Sequence, residues 1–139
     1  MLVTISKRLS DIIDALPLKE GMRVLEIGCG PGSAAREVNK RIGKSGYILA
    51  IDRSAKAIQQ AIANSQAEIA LGNLDFQQVA IEQFALPSGQ PLFDLVFAVR
   101  VGALDGRHPE AGKLAIQQIR EILKRDGSLF IDGTEYNLS

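Results

Sequence analysis

The run Arg23-Val24-Leu25-Glu26-Ile27-Gly28-Cys29-Gly30-Pro31-Gly32 decides the fold. Its first half is short, apolar and β-branched, as a buried strand requires, and Gly21 bounds it on the amino side. Its second half alternates glycine with other residues, which marks a tight turn that also lets a ligand approach the backbone. From Ser33 to Ile42 the residues Ala34, Ala35, Val38 and Ile42 recur at helical spacing, and Gly43 and Gly46 punctuate the exit. Strand, glycine turn and helix in direct succession open a βαβ unit.

The flanks extend the same alternation. Upstream, Ile5, Leu9, Ile12, Ile13 and Leu16 lie on one face of a helix that Pro17 ends. Downstream, Tyr47 to Ile51 reads as a second strand, and Ser54 caps a helix running to about Asn64. Leu74 to Ile81 is a third strand, and Phe93 to Val99 is the almost continuous apolar run of a central parallel strand covered on both faces. Glu110 to Lys124 returns to helical spacing, the Arg125-Asp126-Gly127 turn closes it, and Ser128 to Asp132 is a fifth strand. The pattern predicts an α/β fold: a Rossmann-like, doubly wound, mostly parallel sheet of about five strands with helices on both faces and right-handed crossovers.

A chain of 139 residues, 46% of them apolar, predicts one domain over 1–139, with an N-terminal helix in 1–18 and a nucleotide-binding core in 20–133. Sixteen basic residues balance sixteen acidic ones, so no global field draws in nucleic acid or an acidic membrane. The single Cys29 cannot form an internal disulfide, and the first twenty residues lack the apolar stretch of a signal peptide. A cytoplasmic setting is the expectation, and no metal site is read from the sequence.

Two ligand classes use a glycine turn of this kind. A dinucleotide site wants Gly-x-Gly-x-x-Gly with amide donors facing a pyrophosphate. Here Ser33 takes the sixth position, Pro31 removes a donor, and Glu26 places negative charge close to where phosphates would lie. A ligand with an amino group and a sulfonium, and no phosphate, tolerates the missing amide and gains from the carboxylate. S-adenosylmethionine is that ligand. Asp52 ends the second strand, where a carboxylate accepts both ribose hydroxyls of an adenosyl group. That feature alone does not separate a methyl donor from NAD. Plain structural roles also exist: the glycines as a tight turn, and Asp52 as a helix cap, which Ser54 fills equally well.

Taken together, Val24 to Gly32, the strand ending in Ile51-Asp52, Phe93-Asp94-Leu95-Val96-Phe97-Ala98 and Ile122-Leu123-Lys124-Arg125-Asp126-Gly127 closely resemble the class I S-adenosylmethionine-dependent methyltransferases, over roughly residues 20 to 133. The resemblance implies a ligand lying across the carboxyl ends of the first, second and fourth strands. It implies that Gly28 and Gly30 line the methionine part with Glu26 nearby, that Cys29 and Gly32 belong to the same cofactor-binding loop, that Asp52 holds the ribose, and that Ala98 and Val99 lie near the methionine amino group and the transferred methyl. The stretch after the third strand often bears an acid that meets adenine. Here that position is Ala80, so packing on Ile81 and Arg53 is left to hold the base. The family sheet ends in an antiparallel hairpin for which this chain has no room. An open fifth-strand edge is therefore expected, where a second copy or a partner chain pairs. A shortened chain, a naturally short form and a covered edge stay equally open.

Methyl transfer needs the acceptor aligned with the methyl and water excluded. An acceptor that must lose a proton calls for a general base, and Asp105 and His108, in the loop after the fourth strand, are the candidates. An ion pair of Asp105 with Arg107 is the plainer reading of that aspartate. The fourth strand is not followed by the Asn/Asp-Pro-Pro-Tyr/Phe acceptor of planar nitrogens, which favours a small-molecule substrate. A non-catalytic binding module and a nicotinamide-dependent oxidoreductase are the alternatives.

Overall fold

The computed structural model describes residues 5–138. Its sheet is built from β1 (Arg23–Ile27), β2 (Tyr47–Asp52), β3 (Leu74–Gln78), β4 (Phe93–Ala98), β5 (Leu123–Ile131) and β6 (Thr134–Tyr136), in the spatial order β3-β2-β1-β4-β5-β6. The first five are parallel, and β6 runs antiparallel to β5. The helices are α1 (Lys7–Asp14), α2 (Ser33–Ile42), α3 (Ala55–Asn64), α4 (Gln66–Ala70) and α5 (Pro109–Ile122).

The doubly wound reading holds, and the core explains why. Strand β1 lies between β2 and β4, with Val24 beside both Ile48 and Leu95, so its residues need apolar neighbours on both faces. On one face Val24, Leu95 and Phe97 pack with Ala35, Val38 and Ile42 of α2, and with Ile13 of α1. On the other, Leu25, Val96 and Leu129 pack with Ala115, Ile119 and Ile122 of α5. At about 25 cal/mol per Å² of apolar surface removed from water, these two layers are the main source of stability.

Four sequence expectations are corrected. A sixth strand exists: Leu129, Phe130 and Ile131 pair with Tyr136, Glu135 and Thr134, so the fifth-strand edge is not open there. The cause is the two-residue turn Asp132-Gly133, with φ of 50° and 86°. Those are the paired positive angles of a hairpin whose twist matches its strands. The exposed outer strand of three residues is a short, polar edge, which is how sheets discourage further pairing. Second, Arg125-Asp126-Gly127 is not a turn closing the helix. It is an irregularity inside β5, which starts directly after α5. Asp94 anchors that region, accepting from the Arg23 amide at 2.8 Å and from Lys124 Nζ at 2.8 Å. Third, β3 stops at Gln78 and the chain enters a short 3-10 turn, Ile81–Gln83, burying Ile81 and Phe84. Fourth, α4 follows α3 where no element was expected, after a break at the buried Ser65.

Candidate functional site

The carboxyl ends of β1, β2 and β4 open onto two adjoining cavities, placed where the strand order reverses about β1. The first, of about 570 Å³, is lined by Asp52, Arg53, Ala80, Ile81 and His108, among others. The second, of about 700 Å³, lies between α1 and the glycine turn, with Glu26, Cys29, Gly30 and Val99 in its wall. Gly28 and Arg100 line both.

The glycine turn is knitted to the end of β2. The amides of Gly28 and Cys29 donate to the Ile51 carbonyl at 2.8 and 3.0 Å, the Gly30 amide donates to Asp52 Oδ2 at 2.9 Å, and the Gly32 amide donates to the Cys29 carbonyl at 3.1 Å. Pro31 has no N–H. Every amide from Gly28 to Gly32 is thus engaged, and the turn has no donor left for a pyrophosphate. Gly28 has φ +76°, and a Cβ there would lie 2.6 Å from Val101 Cγ2, so only glycine fits beneath that side chain.

Asp52 does more than end a strand. Its Oδ1 accepts from the Ser54 amide at 2.9 Å while Oδ2 holds Gly30. The capping role falls to Ser54, whose hydroxyl accepts from the Ala57 amide. Each Asp52 oxygen keeps a lone pair for a further donor.

Glu26 is buried, 2% exposed, and its Oε1 has no hydrogen-bond partner among the described residues. Burial above all, and then the charge of Asp52, push its carboxyl up to about 8, against an opposing pull from Arg36. A buried acceptor without a donor costs about 1–3 kcal/mol, and its position in a cavity wall marks where a cationic or N–H group is missing. Burial and the two carboxylates push the Cys29 thiol well above its ordinary value, so it is no thiolate at neutral pH.

Of the other residues singled out in the sequence, Gly32 lines neither cavity. It is buried at φ +92°, and a Cβ on it would meet Arg36, Phe76 and Ala61 at 2.9 to 3.3 Å. Ala98 is buried in the core on the α5 side. Asp105 lines neither cavity and is tied to Arg107, 2.7 Å from Oδ2 to Nε. His108 precedes α5, with its ring against Gly102 in the first cavity. The sequence reading missed Val101, Gly102 and Ala103, small residues without periodicity after β4. The helix from Ile5 to Leu16, whose place before the first strand predicts a lid over the ligand, borders the second cavity. Ile5, Leu9 and Ile12 were legible as an apolar stripe, but the stripe is shared between core and cavity. Helix α1 is fixed in place by Ile13, fully buried, and by Asp14 at 2.8 Å from Arg41 of α2.

The family model of a methyltransferase domain matches residues 18–137. The chain belongs to the class I methyltransferases. Over 129 residues, 93% of this chain and 42% of the relative, it is 30% identical to a nocamycin O-methyltransferase of Saccharothrix syringae. It is 32% identical over 123 residues, 86% of this chain and 56% of the relative, to a probable cobalt-precorrin-6B C(15)-methyltransferase of Saccharolobus solfataricus. This methyltransferase chain spans about half the length of the curated relatives it matches. The fold is that of a methyltransferase from Aquifex aeolicus described as SAM dependent, with a TM-score of 0.72 at 23% identity over 88% of this chain and 62% of that one. Among the described residues, no helix is long and apolar enough to cross a membrane.

Proposed function

We propose that the chain transfers the methyl group of S-adenosylmethionine to a small-molecule acceptor, and that residues 20–133 form the donor-binding core of a single domain over 1–139. In this reading the adenosine lies in the first cavity, with the ribose on Asp52 and the base against Arg53, Ala80 and Ile81. The methionine part passes over Gly28 toward the second cavity, beside Cys29, Gly30 and Val99, where its ammonium meets Glu26. Gly32 and Ala98 shape the site from behind.

One observation carries this reading: a turn whose amides are all engaged stands beside a buried carboxylate with an unpartnered oxygen. That combination rejects a phosphate and accepts a cation. When bound, S-adenosylmethionine supplies a methyl group already activated on a sulfonium. The chain's own part is to hold that group in line with the acceptor and to keep water out. The relatives named for nocamycin and cobalt-precorrin-6B support a small-molecule acceptor.

Calorimetric titration with S-adenosylmethionine, S-adenosylhomocysteine and NAD tests the donor site. Binding of both sulfur ligands and not NAD is expected, and binding of NAD alone overturns the reading. A second reading, a binding module without turnover, draws on Asp105, which is tied to Arg107 at 2.7 Å and lines neither cavity. Methyl transfer by the purified chain to any member of an acceptor panel excludes it.

A further inference from the structure

The second cavity has a charge pattern that the donor does not use up. Its α1 side is apolar, through Ile5, Leu9 and Ile12, yet two exposed arginines, Arg8 and Arg100, also line it. Among the described residues neither arginine has an acidic group within ion-pairing distance, whereas Arg41 is paired with Glu37 and Asp14, and Arg107 with Asp105. Among the described residues the one carboxyl group in the wall is that of Glu26, which is buried.

Arg100 has a second peculiarity. Its φ is +55°, a left-handed conformation that a residue with a Cβ rarely adopts and that glycine or asparagine would tolerate better. The strain is held in place from outside: the Arg100 amide donates to Asp132 Oδ1 at 2.8 Å, and the Asp132 amide donates to the Ala98 carbonyl at 2.9 Å. A strained position that nonetheless carries a long cationic side chain at the junction of two cavities points to use of that side chain.

We infer that Arg8 and Arg100 together recognise the anionic group of a small carboxylic acid acceptor whose apolar body lies against Ile5, Leu9 and Ile12. The inference rests on the donor reading above and adds the chemical class of the acceptor. A planar guanidinium matches a carboxylate in two-point geometry, and two arginines lining one cavity select an anionic charge while the apolar wall selects the body. The cavity volume lies in the range of small-molecule sites.

The test uses the full chain saturated with S-adenosylhomocysteine and compares benzoate with benzamide, which share size and apolar surface and differ in charge. Benzoate is expected to bind about tenfold more tightly, with that preference falling at high salt and shrinking to near parity in Arg8→Gln and Arg100→Gln. Thermal melting and S-adenosylhomocysteine affinity, measured on the same variants, are expected to stay unchanged. Equal affinities for benzoate and benzamide overturn the inference, and so does a benzoate preference that survives both substitutions. A loss of S-adenosylhomocysteine binding in the arginine variants also overturns it, because the guanidinium groups then serve the carboxylate of the donor. Failure of the unsubstituted chain to bind S-adenosylhomocysteine is a distinct result that removes the donor reading and this inference with it.

Discussion

Val101 lies directly over Gly28: its Cγ2 is 2.6 Å from the point a Cβ on that glycine would occupy. Gly28 borders both cavities and Val101 lines the first, so a ligand that crosses Gly28 on the proposed path passes against the Val101 methyl. Moving that methyl aside draws on binding energy. Val101→Ala is therefore expected to tighten S-adenosylhomocysteine binding by about two- to tenfold, with a faster association rate in stopped-flow. Gly28→Ala is expected to do the opposite, abolishing binding and lowering stability, because its new methyl meets Val101 at a left-handed φ. Unchanged affinity in Val101→Ala would show that the ligand does not cross Gly28.

Asp52 is at once a proposed ligand group and a structural acceptor for the amides of Gly30 and Ser54. Removing it leaves two N–H groups without partners, so Asp52→Ala is expected to cost the ligand-free chain about 1–3 kcal/mol, measured by urea unfolding, as well as losing the ligand. A carboxylate serving the ribose alone would leave ligand-free stability untouched. Asp52→Asn keeps one acceptor oxygen and should fall between the two in stability while still binding poorly.

The Glu26 carboxyl is pushed up to about 8, so at neutral pH it is mostly protonated in the ligand-free chain. A bound ammonium favours the ionised form, so ligand binding expels a proton and tightens as pH rises toward 8, then levels off. Calorimetry at pH 7 in buffers of different ionisation enthalpy reads that proton directly. The sign for stability is the reverse of the usual carboxylate. Between the ordinary value of 4.5 and about 8, the folded chain binds more protons than the unfolded one, so stability declines as pH rises through that window. Glu26→Gln is expected to remove the decline, melting higher than the parent at pH 8 while binding S-adenosylhomocysteine at least about tenfold more weakly. A pH-independent affinity would place the ammonium elsewhere.

How far the sequence reveals this molecule depends on what each residue answers to. Strand β1, the glycine turn and α2 are legible residue for residue because local preference and burial agree there: β-branched residues in the strand, positive φ at the glycines, and an apolar stripe on the helix. The grouping of Asp52 with Gly30 is legible as proximity but not as a hydrogen bond, since that depends on how β2 registers against β1. The cavity role of α1 is legible from its place before β1 and not from its pattern, because Leu9 and Ile12 look alike whether they face core or ligand. The Asp132-Gly133 hairpin has its own signal, but the short strand after it, Thr134 to Tyr136, is exposed on every residue and lacks the alternation that would announce it. Arg125-Asp126-Gly127 reads as a turn and lies inside β5 in the stretch that the pairing with β4 skips, between Leu123 and Ser128, so its local preference is met by an irregularity in the strand and not by a stop between helix and strand.

Gly32 separates shape from ligand contact within the glycine turn. It is buried and left-handed at φ +92°, and a methyl group placed on its Cα would lie 2.9 Å from Arg36 Nη1, 3.1 Å from Phe76 Cζ and 3.3 Å from Ala61 Cβ. Arg36 is itself committed, donating to the Pro31 carbonyl at 3.1 Å and to the buried Ser65 hydroxyl at 2.9 Å, so it can yield only by breaking bonds that hold the turn against α3 and α4. Gly32→Ala is thus expected to destabilise the chain by about 2–4 kcal/mol, the sum of left-handed strain and overpacking. Because neither cavity touches Gly32, the folded fraction should keep its affinity for S-adenosylhomocysteine once corrected for unfolding, as titration well below the melting temperature would read. A variant that stays as stable as the parent but loses the ligand would place Gly32 in the binding surface instead.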